Sequence, residues 1–394
     1  MSRKLIFPLY YAAILFQAGA YGLTFMLPRL FDSFGANEKV VGTMLLLTTA
    51  ATVITVYFSG HLSDLLGRLR TLGMACIAIS ASLFLYGTVP GVGPGLAAAS
   101  LLLGFGWGLT YSLGPIVMSR LVRADERVRY FTLLSVFVMA GFGFAPVIAS
   151  AMEDAGFTIR DAFVLNGALC LVSAALFLAL DCPIKAQAVN ARPEAPSRIT
   201  LAAVAGVLRS PARLPVFMVF LGASIFAGLN NFQTVFADAR GLDYAYFFMS
   251  YTLTTVIFRL VMARFTGGAN PYMTIALLQC LMCAGLALFV VSGDSLPLYV
   301  LVAVLFGLGY GVSYPVLVAM AADDADDDLG AQTLQLFALT YFSGIFGFPL
   351  VAGWMIVEVG TTPLLILITL LAVVEAALAL RRGLARRGAS AAEA

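Results

Sequence analysis

Charge is scarce in this chain. Asp, Glu, Lys and Arg make up 11% of 394 residues, where a soluble globular domain carries roughly 25%. Soft metal ligands are scarce too, with one histidine and five cysteines. Cys76, Cys170, Cys182, Cys280 and Cys283 lie mostly within apolar runs, Cys182 at the end of one. Cys280-Leu-Met-Cys283 lacks a second ligand pair and reads as small packing residues of a helix. No metal site and no cofactor are therefore expected. The net charge of +2 makes no case for nucleic acid, and none is expected as a partner. A membrane enzyme or assembly factor would need a nucleophile, a metal cluster or a catalytic acid–base pair, and none stands out. A receptor would bring a sizeable soluble domain, and no such stretch is present.

What fills the chain is apolar sequence, 61% of all residues. About 20 predominantly apolar residues span the hydrocarbon core as a helix, and stretches of that length recur throughout. Twelve spans are expected: 5–28, 40–60, 70–90, 94–119, 129–152, 160–181, 213–237, 245–265, 271–292, 297–321, 331–357 and 362–381. The fold class is thus an all-α membrane protein with lipid as its solvent. With both termini in the cytoplasm, 18 of the 23 basic residues fall on the inner side, among them Arg68, Arg70, Arg120, Arg123, Arg127 and Arg129. Only Arg29, Lys39, Arg160 and Arg240 fall outside, and Arg259 lies within a span. That asymmetry satisfies the positive-inside rule and predicts a multi-pass inner-membrane protein with both termini cytoplasmic. The polar break at 182–212 reads as a cytoplasmic linker with a short interfacial helix over Thr200–Leu208, between a six-helix half at 1–181 and another at 213–394.

The halves repeat one another. At an offset of 203, Gly104-Phe-Gly106-Trp-Gly108-Leu-Thr110-Tyr111 aligns with Gly307-Leu-Gly309-Tyr-Gly311-Val-Ser313-Tyr314. One helix later Gly141, Pro146, Ala149 and Met152 align, without a gap, with Gly344, Pro349, Ala352 and Met355. Parallel six-helix repeats are an established transporter plan, with the substrate at the repeat interface. The glycines have a simpler use as well, since small residues let helices approach closely in lipid.

Between the second and third spans stands Gly60-His-Leu-Ser-Asp64-Leu-Leu-Gly67-Arg68-Leu-Arg70. In position, spacing and residue type this resembles the cytoplasmic signature of the major facilitator superfamily, departing at Leu65 and Leu69, where basic residues are common. The resemblance covers essentially the whole chain and leaves the subfamily open. It implies a transporter of twelve helices in two pseudo-symmetric halves, monomeric, with Gly60, Asp64, Gly67, Arg68 and Arg70 as a cytoplasmic gate motif that latches the outward-open state. Asp64 is expected to accept from a neighbouring helix start, and Arg68 to reach Asp125 or Glu126. Gly141-Phe-Gly-Phe-Ala145-Pro146 resembles, with its second glycine replaced, a motif of exporters and leans towards efflux. The arginine motif usual in the fourth helix of proton-coupled drug exporters is missing.

The resemblance also implies a central cavity lined by the first, fourth, seventh and tenth helices. Polar and aromatic residues there are the candidate substrate ligands: Gln17, Tyr21 and Thr24; Trp107, Thr110 and Tyr111; Asn230, Asn231 and Gln233; Tyr310 and Tyr314. Interhelical hydrogen bonding without ligand contact is the competing account of each. Arg259, the one clear intramembrane charge, reads equally as a snorkelling anchor or as a cavity cation. No carboxylate is expected mid-span, with Glu375 placed near the inner end of the twelfth helix, so a proton as coupling ion would need carboxylates at the rim. Soft-metal import is disfavoured, because no methionine has another three or four residues away. The expected cargo is a small organic solute, by import, facilitation or efflux.

Overall fold

The computed structural model describes residues 3–123, 126–187, 200–262, 271–326 and 329–393, and all their regular secondary structure is helical. Two compact units emerge, Met1–Glu194 with Gln233–Val235, and Ala195–Phe232 with Phe236–Ala394.

The first unit begins with α1 (Arg3–Gly22), which tightens into a 3-10 turn (Leu23–Met26) and resumes as α2 (Leu27–Asp32). Pro28, near the start of α2, sits where a missing N–H leaves no helix bond unmade. There follow α3 (Glu38–Leu66), α4 (Arg68–Thr88), α5 (Pro94–Leu121), α6 (Arg127–Asp154) and α7 (Ile159–Gln187). The break between α3 and α4 is a single residue, Gly67, whose φ of +87° is strained for any residue with a Cβ. Helix α4 packs between α5 and α7, α3 lies on α5, and α1 lies on α6 and α7.

The second unit opens with α8 (Leu201–Arg209), capped by Thr200, whose side chain accepts from the Ala203 N–H. This helix stands where a short one is expected; residues 188–199 of the expected linker lie outside the described residues. Then come α9 (Arg213–Asn230), α10 (Gln233–Asp238), whose first three residues group with the first unit, α11 (Tyr244–Met262), α12 (Pro271–Val291), α13 (Leu296–Asp323) and α14 (Gly330–Phe342). A π-helical turn (Ser343–Gly347) leads into α15 (Phe348–Val359), and α16 (Thr361–Glu393) completes the unit. The π turn ends two residues before Pro349, which has no N–H to donate to the regular helical ladder. Helix α12 packs on α13 and α16, and α11 on α13, the arrangement of α4, α5, α7 and α3 in the first unit.

Eleven helices among the described residues are long and apolar enough to cross a membrane. The expected eighth span is helical as well, as the 19-residue α11. Large apolar side chains such as Ile54, Phe58, Leu277, Val291 and Leu370 point outward, as a lipid solvent allows.

Contacts repeat along with the sequence. Thr52 Oγ1 donates to the Gly104 carbonyl at 3.2 Å, and Thr255 Oγ1 to the Gly307 carbonyl at 3.3 Å. A Cβ on Gly106 would meet Ile79 and the Ala75 carbonyl; one on Gly309 would meet Met282 and the Leu278 carbonyl, each 203 residues further on. The helix before the repeat is displaced by two residues more. Gly141 lies against Leu15, Ala18 and Gly19, while Gly344 lies against Phe220, Ala223 and Ser224, so α9 follows α1 at an offset of 205.

Candidate functional site

In the first unit the sequence candidates come together. Gln17 Nε2 donates to Thr110 Oγ1 at 3.1 Å, joining α1 to α5. One turn along, Tyr21 stacks on Trp107 with ring centres 4.8 Å apart and planes 20° from parallel. Phe142 of α6 closes on both rings, at 4.5 Å from Tyr21 and 5.6 Å from Trp107. Tyr111, half-buried, continues the row from Trp107, and Thr24 donates to the Tyr21 carbonyl.

The second unit holds the same device. Phe226 of α9 stacks on Tyr310 of α13 at 4.7 Å and 23°. These positions follow Tyr21 and Trp107 at the offsets of 205 and 203, so an α1–α5 ring pair recurs as an α9–α13 ring pair. Sequence comparison at one fixed offset misses Phe226, since Tyr21 then aligns with Ser224. Asn230 and Asn231 are fully buried and turn their amide N–H groups onto the Phe226 and Ala227 carbonyls of their own helix. Gln233, which groups with the first unit, is also fully buried, and in the second unit Tyr314 packs its ring against Tyr341 at 5.0 Å.

Two charged residues are buried within the spans. Arg259 does not snorkel: it is 8% exposed, donates from Nε to the Gly311 carbonyl at 2.7 Å, and has the phenols of Tyr251, Tyr310, Tyr314 and Tyr341 around it. Glu375 is not an end-of-helix residue. Helix α16 continues to Glu393, and Glu375 is 0% exposed within it, accepting from Gln279 Nε2 at 2.8 Å.

The gate motif occupies the end of α3 and the start of α4. Asp64 is exposed, with no bond to a helix start among the described residues. Arg70 pairs with Asp181 at the end of α7, Nε to Oδ2 3.1 Å, and Lys185 joins the same oxygen at 2.8 Å. Asp125 lies outside the described residues, while Glu126 accepts instead from the Arg123 N–H. Arg68 Nη1 is buried with no hydrogen-bond partner among the described residues. Asp181 is the anchor that sequence reading missed; its signal is an acid followed four residues later by Lys185 at the end of an apolar run.

No group of three or more potential metal ligands gathers among the described residues. Residues 9–349 match the family model of the Major Facilitator Superfamily. Among solved structures, the nucleoside transporter NupG superposes with a TM-score of 0.73 at 17% identity, covering 96% of this chain and 98% of its own. The POT family transporter PepTSo superposes with a TM-score of 0.73 at 11% identity, covering 98% and 99%. At these identities the likeness is one of fold. No protein of curated function matches by sequence.

Proposed function

Since the chain belongs to the major facilitator superfamily, we propose that it is a secondary transporter that moves a small organic solute across the inner membrane by alternating access. Its moving halves are 1–181 and 213–394, with 182–212 as their linker and both termini cytoplasmic, as the distribution of arginine and lysine favours. It works as a monomer.

The observation that carries the solute class is the duplicated ring pair, Tyr21 on Trp107 and Phe226 on Tyr310. Each half holds a rigid, buried aromatic pair beside buried amides, Gln17 in one and Asn230 and Asn231 in the other. Such surfaces favour a compact, partly planar solute with a few polar groups over a lipid or a bare ion. Arg259 adds a place for one anionic group. Gly60, Asp64, Gly67, Arg68 and Arg70 form the gate motif, held to the bundle by the Arg70–Asp181 pair. The small residues and proline of Gly141–Pro146 tilt the direction towards export.

A thermal-shift screen of purified protein across metabolites and drugs, with nucleosides included, tests this reading. A solute binding only the folded state adds about 2.7 kcal/mol at a hundred times its dissociation constant. Hits should weaken in Tyr111→Phe or Asn231→Ala and should move across the membrane of reconstituted vesicles. A panel without a single hit, and vesicles through which no solute moves, would overturn it.

A further inference from the structure

The two halves serve as controls for each other at one buried position. In the first unit Cys76 of α4 meets Ser173 of α7 at 3.4 Å, and Ser173 Oγ donates on to the Ala13 carbonyl of α1. Helices α7 and α16 begin at Ile159 and Thr361, an offset of 202. The counterparts of Cys76 and Ser173 in the second unit are therefore Gln279 and Glu375, and these too are hydrogen-bonded, at 2.8 Å. A small neutral pair in one half is an amide–carboxyl pair in the other.

The space around the pair differs as well. Gln17 and Thr110, bonded to each other in the first unit, correspond at the helix offsets to Gly222 and Ser313. Where the first unit is filled, the second leaves a small cavity with room for about one water molecule. Glu375, Gln279, Gly222, Ser313, Tyr310 and Tyr314 are among its lining residues. Gly222 lies close against the carboxyl, since a Cβ there would sit 3.2 Å from Glu375 Oε1 and 3.4 Å from Oε2.

Two acceptors in this site have no donor among the described residues: Glu375 Oε2 and Gln279 Oε1 are both buried without a hydrogen-bond partner there. Ser313 Oγ is committed to the Gly309 carbonyl. Among the described residues no lysine, arginine or histidine lines the cavity. An ionised carboxylate here would be an uncompensated charge within a membrane helix, which is among the most unfavourable states a protein can hold. A proton on Oε2 removes that charge and supplies the missing donor.

We propose that the Glu375–Gln279 pair is a proton-binding site contained within the C-terminal half, loaded in the resting protein and discharged when water enters the cavity beside Ser313. On discharge the Oε2–H bond breaks, the proton passes to water, and the carboxylate keeps the bond from Gln279. The assignment deepens the transporter reading by naming the coupling ion, and rests on that reading for its use though not for its existence. Titratable neighbours are few. Helix α12 brings Cys283, α13 brings Tyr310 and Tyr314, and α9 brings only Val219, Gly222 and Ala223 to the cavity. The acid of α15, Glu358, lies at that helix's far end, and Arg381 and Arg382 lie about two turns along α16.

Infrared spectra of the full chain in lipid, without any solute, test the site. At neutral pH the wild type should show the carbonyl band of a protonated carboxylic acid, shifted in heavy water and lost in Glu375→Gln. The double variant Glu375→Ser with Gln279→Cys, which installs the pair of the other half, should fold and also lack the band. A wild type without the band overturns the proposal and leaves transport standing. A band that survives in either variant overturns it too, and one lost on adding sodium chloride at constant pH would assign the site to a metal cation. Failure of the transport reading is separate: the band would be present while no solute crosses.

Discussion

Arg259 donates from Nε to the main-chain oxygen of Gly311 at 2.7 Å, so the one buried guanidinium of the described spans is fixed by backbone. The phenols of Tyr251, Tyr310, Tyr314 and Tyr341 lie around it. Leucine at this position should weaken every anionic hit from the solute screen by about tenfold or more, the scale of one charged hydrogen bond. Neutral hits should keep their affinity. Lysine, a point charge without the planar fork, should recover only part of the loss. Titration of anionic and neutral hits against Arg259→Leu and Arg259→Lys checks this. Equal weakening of both classes would make the residue a packing element.

The glycines separate packing from gating. A Cβ at Gly104 would lie 2.3 Å from the Thr48 carbonyl, and one at Gly309 would lie 2.6 Å from Met282 Cβ and 2.7 Å from the Leu278 carbonyl. Alanine at either should lower the melting temperature of the purified protein by several degrees. Gly60 has nothing within 4 Å, so Gly60→Ala should melt with the wild type. A transport defect in Gly60→Ala at unchanged stability would then belong to the gate. Gly67→Ala should lose about 1–2 kcal/mol from its left-handed φ alone.

Much of this was legible in the chain, and the omissions have physical causes. The repeat at 203 residues is plain in α5 and α13 because three glycines in each are held there by close contact with a neighbouring helix, through its backbone at all but Gly311, which meets the Thr255 side chain. The two-residue displacement of α9 is invisible because stacking needs only a ring: Tyr21 and Phe226 share aromaticity and nothing else. Glu375 looks like an end-of-helix acid when the span is closed at 381, since Arg381 and Arg382 mark the expected membrane edge. Its burial is made by Gly222 and Gln279 on two other helices, which no linear reading brings together. Asp181 was hidden for the same reason, its partner Arg70 being 111 residues away.

Asp181 ties the gate motif to α7 and is 5% exposed, while its partners Arg70 and Lys185 are 62% and 58% exposed. Solvent screening of those two cations holds the expected loss in Asp181→Asn to about 1 kcal/mol. The sharper readout is salt. The wild type should lose melting temperature as ionic strength rises, and Asp181→Asn should be flat over the same range. Parallel salt dependence in both proteins would remove Asp181 as the anchor.

The ring pairs can be followed by light because the chain has two tryptophans. Trp354 is 54% exposed, whereas Trp107 is 5% exposed beneath Tyr21. Trp354→Phe therefore leaves a single reporter inside the first unit, at a position where a bulky aromatic replacement faces outward and disturbs little. If solute binds on the Tyr21–Trp107 surface, saturating hits should change Trp107 emission in this background. Tyr21→Leu should remove that change and weaken binding, since an aromatic pair contributes about 0.5–1.5 kcal/mol beyond its buried area. The Phe226→Leu variant should leave the emission change at saturation intact, because its ring partner is Tyr310 in the other half. A solute that binds with unchanged Trp107 emission, and with equal affinity in Tyr21→Leu, would place recognition away from the first ring pair.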